Sequence, residues 1–400
     1  MPVTKHITVW NTFTAHRKEA EELKVELASL SGCKHRDVQF QNFKQFKAGH
    51  RYLYFTAGST FGKITTDTQT KTQLARESAS TQLAHSLGLP SVRVLVPYQE
   101  LSTGKAVMIV ERLRVSKGSL IREFRDVSNI GNSASQNYAA IATNAIFQCN
   151  FRRILPNLPA GHLLRNEEQA WAVTAPHTLT QKISELVSFY EIPALRDVLP
   201  VAFAGVDFEQ LTQLFKQLPA AINELSSIWG YEAAEYFAHN DTTVKNIYYG
   251  NGKTKNEGFF FDYEVASATH YPILSLLQDL TQFYASSSFN VKLQQEFVIQ
   301  ALNISYAHVP VDIGPSRHRL VRSALLLGTL NLGHYILKRS WETHVKNNAD
   351  IVDSLIHDFD YQLINRLFSS CVTNLSFLDS FSESNIVEDV SAFPDPIAVG

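Results

Sequence analysis

The sequence contains little cysteine, no excess of either charge and no long uninterrupted apolar run. Its 400 residues include three cysteines, Cys33, Cys149 and Cys371, which are odd in number and widely spaced. This pattern argues against a disulfide framework and against a zinc site. Reduced thiols, as in cytosolic proteins, are the interpretation it favours.

The balance of charge also excludes some partners. The chain has 36 basic and 38 acidic residues and a net charge of -2, so no global field attracts nucleic acid or an anionic membrane. The N-terminus lacks the apolar core of a secretory signal. The late apolar segment "SALLLGTLNLGHYILKR" is interrupted by Asn331 and His334 and is too short to cross a bilayer. We therefore expect a soluble cytoplasmic protein that binds neither nucleic acid nor membrane.

The length and the residue patterns predict more than one domain. Four hundred residues exceed the usual size of a single core. Residues 1–114 contain an N-terminal helix and then mainly strands with one helix, whereas 115–375 carry mostly helical patterns. Within the second part, 116–200 is predicted to be polar and irregular. The acidic, proline-containing segment 376–400 is predicted to be a flexible tail. The fold class is therefore α+β.

The N-terminal part has a regular succession of strand and helix signals. "RYLYFTAGSTFGKITT" predicts two short strands joined by a turn at Ala57-Gly58-Ser59. The next segment has leucines at helical spacing and ends at Gly88. Two further β-rich runs then flank the turn "ELSTGK". The sequence thus predicts a small sheet that carries one helix.

A group of polar residues lies between apolar strands in the second part. "EYFAHNDTTVKNIYYG" and "GFFFDYEVAS" predict a hairpin, with His239, Asp241 and Asn246 before it and Asp262 at its end. Such an arrangement predicts that Asp241, Asn246 and Asp262 meet at one edge of a small sheet. Phosphoryl transfer needs groups of this kind, namely a carboxylate near the acceptor hydroxyl and oxygen ligands for magnesium.

These residues resemble the motifs of the aminoglycoside phosphotransferase and choline kinase group within the protein-kinase-like fold. The family's His-Gly-Asp-x4-Asn loop is similar to His239-Asn240-Asp241-x4-Asn246, and its Asp-Phe-Glu or Asp-Phe-Asp motif to Asp262-Tyr263-Glu264. The resemblance implies a bilobal kinase fold with a strand-rich N-terminal lobe and a helical C-terminal lobe. It also implies that Asp241 is the catalytic base or orients the acceptor. Asn246 and Asp262 are then Mg²⁺ ligands, and Glu264 belongs to the metal site as a ligand or as support for the ligands.

The resemblance extends into the N-terminal part. "FGKIT" places Lys63 in a strand and "LARESAS" places Glu77 on the following helix, where the family pairs a strand lysine with a helix glutamate and directs the lysine to the nucleotide phosphates. By the same resemblance Gly49 belongs to the phosphate loop. Glu111 and Leu113 belong to the hinge that presents backbone groups to the adenine edge.

The implied function is transfer of the γ-phosphate of ATP or GTP to a hydroxyl group of a small molecule, with Mg²⁺. Two alternatives stay open: a kinase of serine or threonine in a peptide, and a nucleotide-binding pseudokinase. The family's glycine-rich loop is reduced here to Gly49, Asn240 replaces a glycine, and Tyr263 replaces a phenylalanine. Lys63 could also lie along an edge strand with its ammonium group in solvent, and Glu77 could be an exposed helix residue.

Overall fold

The structure is a computed structural model, and it describes residues 18–41, 51–112, 121–123, 132–150, 176–191, 207–229, 236–244, 246–251, 256–269, 272–287, 289–308, 314–340 and 359–381. The chain forms two compact units. The first contains Met1–Gly118 and Phe261–Glu264, and the second contains Ser119–Phe260 and Val265–Gly400. The sequence placed the division between residues 114 and 115 and did not predict that Phe261–Glu264 pack with the first unit.

The first unit is an antiparallel sheet with a helix against each face. Helix α1 occupies 18–31. The other elements follow in order as β1 (Val38–Phe40), β2 (Leu53–Ala57), β3 (Thr60–Thr65), α2 (Thr68–Ser86), β4 (Val94–Glu100) and β5 (Ala106–Glu111). The strands pair in the order β1-β2-β3-β5-β4. The predicted β2–β3 hairpin is confirmed: Ala57 pairs with Thr60, and Gly58 takes the left-handed φ of 58° that favours glycine in a two-residue turn.

Alternation along the strands explains why both faces of this sheet are covered. On β2, Leu53 and Phe55 pack into one core with Leu23 and Leu27 of α1. On β5, Met108 and Val110 instead pack into a second core with Leu74 of α2. Because neighbouring side chains of a strand point to opposite faces, one sheet supports two apolar layers. Lys63 lies on β3, paired in register with Met108, and therefore in the central part of the sheet.

The second unit is mostly helical. Its elements in chain order are β6 (Ile121–Glu123), α3 (Asn132–Asn150), α4 (Pro176–Glu191), α5 (Phe208–Trp229), β7 (Tyr236–Ala238), β8 (Ile247–Asn251), β9 (Asn256–Phe260), β10 (Ser267–Thr269), α6 (Pro272–Ser286), α7 (Val291–His308), α8 (Gly314–Ser340) and α9 (Phe359–Ser380). Strands β6, β8 and β9 form one small antiparallel sheet, and β7 pairs with β10. The predicted β8–β9 hairpin is confirmed.

The expectation of an irregular segment over 116–200 is wrong for two stretches. Helices α3 and α4 lie within it. The buried face of α3 is built mainly from small residues: Ala139, Ala142, Ala145, Ile146 and Cys149. Alanine and cysteine give a weak apolar contrast against the many serines and asparagines of this helix, so its periodicity is hard to recognise.

Helix α8 is a core element of the second unit. Its segment Arg317–Lys338 is long and apolar enough to cross a membrane by length and composition, but 83% of its most apolar window is buried inside the protein. Burial of that extent is typical of the core helix of a soluble protein. Helix α9 continues to Ser380 with Leu378 buried, so the predicted tail over 376–400 begins inside this helix. Residues 382–400 lie outside the described part.

Candidate functional site

Lys63 is the centre of the first unit's polar cluster. Its Nζ donates to Oε1 of Glu77 at 2.7 Å and to Oδ1 of Asp262 at 2.9 Å. The side chains of Lys63 and Glu77 are 10% and 3% exposed. The strand-to-helix pairing expected from the sequence is therefore present, and the readings of Lys63 and Glu77 as exposed residues are wrong. Their roles toward a nucleotide stay a prediction.

The electrostatics of this cluster follow from its burial. Burial disfavours the Lys63 ammonium, but the carboxylates of Asp262 and Glu77 outweigh it and hold the pKa of Lys63 well above its usual value. Burial raises the pKa of Glu77 to about 7, against the opposing charge of Lys63. Lys63 therefore remains a cation at neutral pH. The pKa of Glu77, in contrast, lies close to neutral pH.

Asp262 adopts a backbone conformation that few residues tolerate. Its φ is 61°, in the left-handed region that is uncommon outside glycine but is visited by aspartate and asparagine. It lies two residues after β9 ends at Phe260. Such outliers persist where surrounding contacts hold them, often at functional sites. The bond to Lys63 is one contact that holds Asp262 here.

Glu264 is held by protein groups. Nη2 of Arg51 lies 2.6 Å from each of its carboxylate oxygens, and the hydroxyl of Tyr52 donates to Oε2 at 3.2 Å. One carboxylate oxygen from each of Glu77, Asp262 and Glu264 lies within 4.8 Å of the others. Arg51 therefore already contacts both of the oxygens that Glu264 would offer to a metal ion. The role of Glu264 as a metal ligand stays a prediction. No sequence motif predicts this role for Arg51.

The space beside Lys63 within the first unit is small. A cavity of about 20 Å³ is lined by polar Lys63, Glu77 and Asp262 and by apolar side chains including Val92, Met108 and Val110. This volume holds about one water molecule. Larger grooves of about 450 and 390 Å³ lie in the second unit, along α4 and α5 and along α3 and α7. Neither groove is lined by a predicted site residue.

Two of the predicted nucleotide-binding residues lie outside the described part of the chain, namely Gly49 and Leu113. The third, Glu111, ends β5. Its backbone N–H donates to the carbonyl of Arg93 at 2.9 Å, and its side chain accepts from the N–H of Arg93 at 2.8 Å. The Glu111 N–H thus completes the pairing with Arg93, and the role of Glu111 in presenting backbone groups to an adenine edge stays a prediction.

In the second unit, Asp241 and Asn246 lie on one short loop between β7 and β8. Nδ2 of Asn246 donates to the backbone carbonyl of Asp241 at 3.0 Å, which directs the amide nitrogen inward and leaves Oδ1 as the group able to face a metal. Asn240 has a φ of 66°, and its side chain donates to the Val265 carbonyl at 3.1 Å. The left-handed conformation explains why asparagine can stand where the family has glycine.

The loop is anchored to helix α6. The N–H of Thr242 donates to Oε1 of Gln282 at 3.1 Å, and its hydroxyl donates to the carbonyl of Asp279. The N–H of Val244 donates to Oγ of Ser286 at 3.1 Å. His239 is fully buried and packs its ring against Phe260. Two side chains and one backbone carbonyl of helix α6 thus hold the loop.

Asp279 is a buried acid that the sequence did not point to. It is fully buried on α6, and Nδ2 of Asn150 donates to its Oδ2 at 3.0 Å. Burial raises its pKa to about 7, while the bond from Asn150 and the backbone amides of Asn240 and His239 act in the opposite direction. The sequence shows only one acid in an amphipathic helix, so no local signal could have revealed this contact.

Comparisons with known proteins match the structure but not the sequence. No protein-family model matches the chain, and no curated protein matches its sequence. The GDP and kanamycin complex of APH(2")-IIia is 13% identical, with 84% of this chain and 93% of that chain covered and a TM-score of 0.50. Choline kinase from Cryptosporidium parvum Iowa II is 10% identical over 93% and 97% of the two chains, with a TM-score of 0.47. A choline/ethanolamine kinase family protein from Mesorhizobium loti is 14% identical over 82% and 90%, with a TM-score of 0.44.

At these identities the similarity is one of fold. The chain has a protein-kinase-like fold, with a five-stranded sheet in its N-terminal part and a mostly helical C-terminal part. The fold class predicted from the sequence is confirmed. The resemblance to the aminoglycoside phosphotransferase and choline kinase group is confirmed as a distant one, at the level of the fold.

Proposed function

We propose that the protein is a magnesium-dependent phosphotransferase that moves the γ-phosphate of ATP or GTP to a hydroxyl group of a small molecule. The observation that carries this proposal is the buried Lys63, bonded to Glu77 on α2 and to Asp262 after β9. Kinases need a strand lysine paired with a helix glutamate, together with a metal-binding aspartate. Burying the charged groups of Lys63 and Glu77 is costly, so their retention supports a functional role.

Each residue has a task in this proposal. Lys63 neutralises phosphate oxygens, and Glu77 keeps its ammonium group in place. Asp262 and Asn246 would hold Mg²⁺, because a carboxylate and an amide oxygen are ligands that suit this ion. When bound, Mg²⁺ neutralises charge on the phosphoryl oxygens. Asp241 orients the acceptor hydroxyl and accepts its proton. The acceptor is proposed to be a small molecule, and the location cytoplasmic, without nucleic-acid or membrane partners.

Kinetics of two aspartate variants test the assignment. Asp241→Asn keeps the size of the side chain but removes its charge, so turnover is expected to fall by about two to four orders of magnitude, as for a positioned base, with nucleotide affinity nearly unchanged. Asp262→Asn is expected to weaken both, because the metal loses an anionic ligand. The measurements are steady-state rates with a metabolite pool as acceptor source, and calorimetric titration of ATP and GTP.

The same measurements separate the alternatives. Phosphate appearing on a serine or threonine of a peptide library, and on no metabolite, would support a peptide kinase. Nucleotide binding without transfer to either pool, unchanged in Asp241→Asn, would support a pseudokinase. Full activity of Asp241→Asn would exclude the proposed role of that residue.

A further inference from the structure

The carboxylate of Glu264 is neutralised by an arginine of the same unit, Arg51. Its side chain is 10% exposed, and both oxygens contact the same guanidinium nitrogen of Arg51 at 2.6 Å. Charge-assisted bonds of this length are the strong ones. The carboxylate therefore has a cation of the protein at the position where a metal ion would approach it.

Tyr52 holds this arginine in place. The Arg51 guanidinium carbon lies 4.7 Å from the centre of the Tyr52 ring, a distance at which a cation is attracted to the ring face. The Tyr52 hydroxyl also donates to Glu264 at 3.2 Å. Burial, and then the charge of Glu264, raise the pKa of Tyr52, so the phenol stays protonated and keeps donating. One aromatic residue thus fixes both members of the ion pair.

Two cations of the protein serve the carboxylates of this cluster. Among the described residues, one carboxylate oxygen from each of Glu77, Asp262 and Glu264 lies within 4.8 Å of the others. Lys63 is bonded to the first two and Arg51 to the third. Glu264 therefore already has a cation of its own, separate from the one that Asp262 shares with Glu77.

We propose that Arg51 takes the place of a second divalent cation at Glu264, so that the site works with a single metal ion, held on the side of Asp262. The proposal rests on the proposed phosphotransferase function. In sites with two metal ions, the ions lie about 3.5–4 Å apart and share carboxylates. Here the carboxylate spacing would suit such sharing, but one of the two positions is filled by a guanidinium. Glu264 is then a positioning residue for Arg51.

Counting bound Mn²⁺ tests this directly. Mn²⁺ is titrated into the protein with a non-hydrolysable ATP analogue, and the free ion is measured by electron paramagnetic resonance. We expect one ion per protein–nucleotide complex in the wild type and two in Arg51→Met. The double variant Arg51→Met/Glu264→Gln should return to one, because the exposed carboxylate is gone. Two ions in the wild type, or one ion in Arg51→Met, would overturn the proposal.

Further variants separate charge from packing. Arg51→Lys retains a cation and should keep one ion, whereas Arg51→Gln retains polar contact without charge and should bind two. Glu264→Gln in the wild-type background should leave the count at one, and a fall to zero would show that Glu264 is itself a metal ligand. Arg51→Gln also serves if Arg51→Met fails to fold, as checked by circular dichroism.

A second arm without nucleotide distinguishes this inference from the proposed function. Millimolar Mn²⁺ alone should raise the melting temperature of Arg51→Met but not of Arg51→Met/Glu264→Gln, since only the former has a Glu264 carboxylate without its arginine. If no nucleotide binds any variant, the proposed function fails. Even then, a rise of the melting temperature with Mn²⁺ that requires Glu264 would support the claim that Arg51 occupies a cation position. The absence of this rise would overturn that claim.

Discussion

At the scale of single residues, Lys63 is the group on which the first unit's polar cluster depends. It is 8% exposed and is shared between Glu77 and Asp262. An exposed ion pair contributes little to stability, but removing one partner of a buried pair leaves an uncompensated charge in a poorly solvated place. The same residue that is proposed to bind phosphate therefore also stabilises the fold.

Lys63→Met is accordingly expected to destabilise the protein. The buried carboxylate of Glu77 and the partly exposed one of Asp262 lose their cation, and loss of one partner of a buried pair typically costs about 3–5 kcal/mol. The matched control is Lys71→Met on helix α2, where the pair with Glu100 is partly exposed and the cost should be below about 1 kcal/mol. Urea unfolding of both variants gives the comparison. Equal effects at the two positions would contradict the importance assigned to Lys63.

Asp279 predicts a pH dependence of stability. Burial raises its pKa to about 7 in the folded protein, against about 3.9 for an unfolded chain. A raised acid pKa contributes stability that is complete below the unfolded value and is lost as the pH rises through about 7. Relative to Asp279→Asn, which does not titrate, the wild type should lose on the order of 4 kcal/mol between pH 4 and pH 8. Denaturant unfolding across this range measures the difference, and parallel curves for the two proteins would refute the assignment.

The sequence could predict the residues that belong to local motifs, but not those that act from a distance. Lys63 and Glu77 are 14 residues apart and lie on a recognisable strand and helix. Arg51 meets Glu264 across 213 positions, and Asn150 meets Asp279 across 129. Pairs of this kind depend on the path of the whole chain, so neither residue type nor spacing reveals them.

At the scale of elements, strong alternation and clear turns made the N-terminal sheet predictable, whereas small residues obscured helix α3. The side chains of strands β2 and β3 point alternately into two cores, and the strands are joined by a turn at Gly58. Both the two-residue apolar period and the turn are therefore visible in the sequence. Helix α3 instead buries mainly alanines, which give a weak apolar signal. Helix α5 continues through Pro219, a residue that usually ends or kinks a helix. Tertiary packing decides such elements more than local propensity does.

Two glycines of helix α8 give a matched test of packing between elements. A Cβ at Gly328 would lie 2.9 Å from the backbone carbonyl of Gln278 and 2.9 Å from Cβ of Thr281, both on α6, where only a shift of the helix relieves the clash. A Cβ at Gly333 would instead meet the ring end of Phe368 at 2.9 Å, and a side chain can rotate away. Both substitutions by alanine bring the same gain of about 1 kcal/mol in helix propensity.

Gly328→Ala is therefore expected to destabilise the second unit by about 1–3 kcal/mol, as overpacked cores typically do. Gly333→Ala should cost clearly less or be neutral. Thermal and urea unfolding of the two variants, followed by the helical circular dichroism signal, measure the difference. A Gly328→Ala protein as stable as Gly333→Ala would mean that the close approach of α6 and α8 is not what the structure indicates.

At the scale of the whole molecule, the proposed function divides its tasks between the two units. Lys63, Glu77 and Asp262 belong to the first, and Asp241 and Asn246 to the second. The chain enters the second unit after residue 118, returns to the first for Phe261–Glu264 and leaves it again. The segment Phe261–Glu264 is thereby connected covalently to the second unit on both sides while it packs with the first. The roles proposed for the two groups of residues are thus tested in each unit separately.

Nucleotide binding should therefore be visible in the stability and exchange of both units, and only with a divalent ion. A ligand at 100 times its dissociation constant stabilises the folded state by about 2.7 kcal/mol, so ATP or GTP with Mg²⁺ should raise the melting temperature, and chelation of Mg²⁺ with EDTA should abolish most of the rise.

Hydrogen exchange measured by mass spectrometry should show slower exchange in peptides covering β3 and Phe261–Glu264, and also in the loop from His239 to Asn246. Asp262→Asn is the control in which protection should be lost at both places, because the metal ligand is gone. Slower hydrogen exchange in only one unit would contradict the division of roles proposed for Asp262 and Asn246. A melting temperature that does not depend on Mg²⁺ would contradict it as well.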